Sequence, residues 1–83
     1  VNEVSANFDF NLYPNPASNQ LTITLPFEKK SKLQIVNVVG EIVAEENITG
    51  TKTISVENIA SGIYFARIIS DNNFSSVKKF VID

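Results

Sequence analysis

The side chains able to carry chemistry here are carboxylates, amides, hydroxyls and a few cations, because the 83-residue chain has no His and no Cys. That absence excludes Ser-His-Asp and Cys-His nucleophilic catalysis, the His/Cys zinc sites and the common proton shuttle at neutral pH. A pair of carboxylates is the acid–base device that remains. Asp9, Glu28, Glu41, Glu45, Glu46 and Glu57 are its candidates, and all sit in turns or on polar faces, where solvated surface is the preferred reading. Among metals, calcium accepts oxygen ligands alone. Asp71-Asn72-Asn73 and Glu45-Glu46-Asn47 are the ligand clusters to consider, but neither has the alternating spacing of a calcium loop, and plain turns are preferred. With only Gly40, Gly50 and Gly62, there is no glycine-rich loop to cradle a phosphate. The chain is therefore expected to hold no catalytic residue, no metal and no cofactor.

Composition narrows the class further. Seven Lys or Arg against nine Asp or Glu give a net charge of −2, which offers no whole-domain attraction to nucleic acid or to an anionic membrane. Hydrophobic residues make up 43% of the chain, enough for one core and too many for a disordered tail. No apolar run approaches a membrane span. The opening Val1-Asn2-Glu3-Val4 lacks both Met and a basic n-region, so the chain is expected to be cut from a longer precursor.

The elements that would position these side chains are strands. Residues 1–7 are polar and aperiodic and read as a linker. Phe8, Phe10 and Leu12 then alternate with Asp9 and Asn11, until Tyr13-Pro14-Asn15-Pro16 stops the ladder by removing donors and fixing φ. Leu21, Ile23 and Leu25 alternate with threonines in a second strand ended by Pro26, and 27–31 reads as a polar turn. Residues 33–39 read as a third strand, turning at Gly40-Glu41 into a fourth that starts at Ile42. Residues 47–51 read as loop, 53–56 as a fifth strand, 63–70 as a sixth, Asp71-Asn72-Asn73 as a turn and 75–82 as a seventh. No stretch sustains a helical period. Seven short strands at this spacing predict an all-β antiparallel β-sandwich. Its expected core is Phe10, Leu12, Leu21, Ile23, Leu33, Ile35, Ile42, Ile54, Val56, Tyr64, Ala66 and Ile68.

Five segments in order resemble one known family. They are Leu12-Tyr13-Pro14-Asn15-Pro16, the strand at Leu21-Thr22-Ile23, the hairpin 33–43 with Gly40 at its turn, Ile54-Ser55-Val56 followed by Ile59, Gly62 and Tyr64, and the basic–apolar end Val77-Lys78-Lys79-Phe80-Val81-Ile82. Together they resemble the C-terminal sorting domain of the type IX secretion system of Bacteroidota. The match runs over 8–83; Ile59 stands where Leu is commoner, and Asp83 where a basic or apolar end is usual. The resemblance implies an Ig-like β-sandwich that serves as a non-catalytic secretion signal behind an N-terminal cargo domain. It implies transit through the periplasm and export to the cell surface or beyond. The implied partners are an outer-membrane translocon, a shuttle protein and a sortase-like cysteine protease that removes the domain.

Two of these segments have plain structural readings. Tyr13-Pro14-Asn15-Pro16 is a rigid turn, and Gly62 with Tyr64 is a strand entry with a packed ring whose hydroxyl finds a partner. At the terminal strand, Lys78 and Lys79 serve either to protect an edge or, with Phe80, Val81 and Ile82, to be read by the export machine. An Ig-like carbohydrate-binding or adhesive module is the alternative function; the lack of Trp argues against it. A small hydrolase is disfavoured by the missing His and Cys.

Overall fold

In the computed structural model, which describes residues 9–70 and 75–83, the alternating segments form strands packed as two antiparallel sheets. These are β1 (Asn11–Tyr13), β2 (Gln20–Thr24), β3 (Lys30–Val36), β4 (Ile42–Thr49), β5 (Thr51–Ser55), β6 (Gly62–Ser70) and β7 (Ser75–Ile82). One sheet has the order β1-β2-β5 and the other β4-β3-β6-β7. The expected all-β sandwich of seven strands is what the chain forms. The linker 1–7, Phe8 and the Asp71-Asn72-Asn73 turn lie outside the described residues.

Period-two burial shows how the strands earn their places. In β2, Leu21 and Ile23 are buried; in β3, Leu33 and Ile35; in β6, Tyr64, Ala66 and Ile68. They meet between the sheets with Phe10, Ile54 and Val56. Leu12 is only partly buried, at the margin of this core. Ala17, Leu25, Ile48, Phe80 and Ile82 also belong to the core and were not expected there. Ile48 is the instructive one. The 47–51 stretch read as loop, yet β4 runs through Thr49 and only Gly50 separates it from β5 in the other sheet. Gly50 makes this crossing at φ 71, a left-handed conformation open to glycine, and its carbonyl accepts from Leu25 N–H at 2.8 Å.

The hairpin 33–43 departs from expectation at both ends of its first strand and at Ile42. The third strand starts at Lys30, inside the expected polar turn, and stops at Val36, leaving Val38 and Val39 exposed. Asn37 ends it. Its Oδ1 accepts from Val39 N–H at 3.1 Å and Glu41 N–H at 2.9 Å, a local turn that outcompetes the ladder. Gly40 completes the turn at φ 93. Ile42 was expected in the core and is 53% exposed. Pairing passes from Ile35↔Ala44 to Val36↔Ile42, so a bulge at Val43 flips Ile42 to the outer face beside Val36.

Candidate recognition site at the terminal strand

β7 pairs with β6 on one side only and is an edge of the four-stranded sheet. Alternation along it separates two sets of side chains. Phe80 and Ile82 are buried, point inward and join the core. Phe80 packs its ring on that of Tyr64 with centroids 6.1 Å apart, and Tyr64 donates its hydroxyl to Ala60 C=O at 2.6 Å. Lys78 falls on the same inward side at the rim, where its Nζ reaches Asp9 Oδ1 at 3.1 Å. Val77, Lys79 and Val81 form the outward set. Of the sequence candidates at this strand, then, Lys79 and Val81 lie on the outer face, Lys78 is 38% exposed at the rim, and Phe80 and Ile82 are buried.

The other edge of β7 is partly closed. Ala17, between β1 and β2, forms a parallel bridge to Ile82. Ala17 N–H donates to Val81 C=O at 2.8 Å, and Asp83 N–H donates to Ala17 C=O at 2.7 Å. Val81 N–H donates to Asn15 Oδ1 at 3.0 Å. The Tyr13-Pro14-Asn15-Pro16 turn, whose two X–Pro bonds are cis, and the chain end are therefore one unit. Sequence reasoning treated them as separate and missed Asn15 and Ala17 as the clasp. The available signal was an amide between two prolines, too short a segment to pair as a strand but able to offer an acceptor. Below the clasp, the outward main-chain groups of Val77 and Lys79 have no partner among the described residues.

The remaining motif residues are structural in place. Gly40 turns the β3–β4 hairpin, and Gly62 opens β6 against the Tyr64 ring. Tyr13 differs, at 52% exposed on the outer face of the three-stranded sheet. Among the described residues no group of His, Cys, Asp or Glu is placed to hold a metal. Glu45 and Glu46 lie on β4, tied to Lys32 and Lys52 at 3.9 Å each, so Glu45-Glu46-Asn47 is strand and not the turn expected of it.

Comparison with known proteins identifies the family and the fold. Residues 11–83 match the family model of the secretion system C-terminal sorting domain. An endo-acting ulvan lyase of Formosa agariphila is 29% identical over 77 residues, covering 89% of this chain and 15% of that protein. A DUF3244-family protein of Bacteroides vulgatus with an immunoglobulin-like β-sandwich superposes with a TM-score of 0.74 at 18% identity, over 89% of this chain and 84% of that one. PorZ, a surface component of the type IX secretion system of Porphyromonas gingivalis, superposes with a TM-score of 0.70 at 17% identity, over 89% of this chain and 11% of that one. At these identities the two structures establish the fold.

Proposed function

The chain belongs to the type IX secretion system C-terminal sorting domain family, and from that premise we propose that the signal is read at the open edge of β7, through main-chain hydrogen bonds to Val77 and Lys79. Strand addition to an exposed edge draws affinity from the backbone and selectivity from flanking side chains. The observation that carries this reading is the edge itself: closed at Val81 and Asp83 by the clasp, open below it, with the Lys79 cation facing outward. In this reading Phe80 and Ile82 hold the strand in place, and Lys79 and Val77 meet the partner.

The wider role follows the same line. The domain rides behind an N-terminal cargo domain through the periplasm, binds a shuttle protein and the outer-membrane translocon, and reaches the surface or the medium. A sortase-like cysteine protease then removes it, so the domain is a substrate and catalyses nothing. The absence of any His or Cys supports that assignment.

Val77→Pro tests the edge reading. Proline at an outward position deletes a donor that β6 does not use, and edge strands tolerate it. A fluorescent cargo fused to the domain should remain folded and lose export in cells carrying the system. Undiminished export of the folded variant would refute the edge reading.

A carbohydrate-binding role has one observation of its own. Tyr13 stands exposed beside Thr22 and Thr53, on a face whose register partners Asn11, Thr24, Thr51, Gln20 and Ser55 carry no charge. Calorimetric titration with neutral oligosaccharides, with and without Tyr13→Ala, tests it: saturable heat abolished by the substitution would support the role, and no heat would end it.

A further inference from the structure

The outer face of the four-stranded sheet is mixed, and its apolar side chains gather at the end nearest the β3–β4 hairpin. Register places side chains across it in rows: Ile42, Val36, Phe65 and Lys79 in one, Glu45, Gln34, Arg67 and Val77 in the next. Ile42, Ile63, Val77 and Val38 are each about half exposed or more. Between the hairpin tip and β7 they leave a depression of about 250 Å³, walled by Val38, Phe65, Arg67 and Val77. Its floor is Val36, which is buried although it takes no part in the core between the sheets. Grouped exposed hydrophobics of this kind mark interaction surfaces.

Arg67 is the charged side chain that lines the depression, and the nearby carboxylates are engaged, Glu41 by Asn37 Nδ2 at 2.9 Å and Glu45 by Gln34. Gln34 links the face, donating to Glu45 Oε2 at 2.8 Å and accepting from Arg67 Nη1 at 3.2 Å. Glu45 is also held by Lys32. Among the described residues, Arg67 and Lys79 have no carboxylate partner, and both flank the depression or the open edge. A domain of net charge −2 thus presents two cations with no carboxylate partner among the described residues, Arg67 lining the apolar basin and Lys79 on the open edge beside it.

We propose that this basin docks an extended segment of a partner protein, one that places an aliphatic side chain over Val36 and carboxylates against Arg67 and Lys79. The inference deepens the edge reading and rests on it. A strand seated along β7 carries every second side chain on the outer face, next to Val77 and Lys79. The backbone then supplies the pairing, and the basin with its two cations selects an acidic, aliphatic partner over a basic one.

Two probes test this on the 83-residue chain in solution. One is a synthetic strand peptide of alternating valine and glutamate; the other is its valine–lysine counterpart. Amide shifts followed by NMR should move saturably at Val38, Phe65, Arg67 and Val77 with the glutamate peptide alone. Arg67→Glu should weaken that binding about tenfold, the effect expected on losing one good interface anchor, and Arg67→Lys should retain most of it. A valine–glutamate peptide N-methylated along its pairing edge separates the two ideas, because it cannot bond to the β7 backbone: shifts that persist at Val38 and Phe65 support the basin and count against the edge, and shifts that vanish support the edge on which the basin proposal rests. Equal shifts with both peptides, or none with either, would overturn the proposal. So would sedimentation showing that the basin is covered by a second copy of the domain.

Discussion

The Asn15 side chain accepts a hydrogen bond from the Val81 amide at 3.0 Å, joining two positions 66 residues apart. With the two bonds from Ala17 it fastens the chain end to the turn between β1 and β2. Asn15→Ala should therefore cost about 1 kcal/mol in urea unfolding, the worth of one net hydrogen bond. Amide exchange at Val81 and Asp83 should accelerate while that of β3 stays slow.

Ala17 is fully buried against β7. A larger side chain there has no room, and Ala17→Leu should lower stability by about 1–3 kcal/mol through overpacking. The thermal midpoint measures it.

Phe80 and Ile82 are core residues at 0% and 3% exposure. Phe80→Ala should cost about 3–5 kcal/mol and Ile82→Ala about 2–5 kcal/mol, a large share of the stability of a small domain. Deleting 78–83 should unfold the domain outright, as circular dichroism would show. Loss of export after such a deletion therefore says nothing about how the signal is read.

Ile35 and Ile42 form a matched pair. Ile35 is buried and Ile42 is 53% exposed across the bulge. Ile35→Ala should destabilise by about 2–5 kcal/mol and Ile42→Thr by no more than about 0.5 kcal/mol. Equal losses would mean that the bulge is misplaced.

These contrasts show what was legible in the sequence. Alternation of Leu21 and Ile23 with threonines dictates a strand and its inner face, the apolar runs around Ile35 and around Ala66 and Ile68 dictate central strands, and β-sandwich architecture follows from their number and spacing. Ile42 was not legible, because one extra residue opposite Val36 inverts the period, and nothing in a run of valines and isoleucines marks where the extra residue falls. Val38 and Val39 look like strand, but Asn37 competes through its own side chain. At the chain end, apolar Phe80 and Ile82 suit a core as well as a contact; only the strand's phase against β6 decides. The clasp was hidden for a different reason: it joins distant segments through an asparagine amide and an alanine backbone, neither of which has a periodic signature.

The central claim is that the open edge of β7, and not merely a folded domain, is what export requires. The most direct measurement sets the export rate of a fluorescent cargo against the unfolding free energy of the purified domain. The series comprises Ile35→Val, Ile68→Val, Asn15→Ala and Lys79→Pro. The first three alter stability and leave the outward groups of Val77 and Lys79 in place; Lys79→Pro removes an outward N–H that β6 does not use. The account predicts that Lys79→Pro falls well below the line defined by the other three, exported far more slowly than its stability warrants. If Lys79→Pro lies on that line, export depends on the fold alone and the edge of β7 is not the signal.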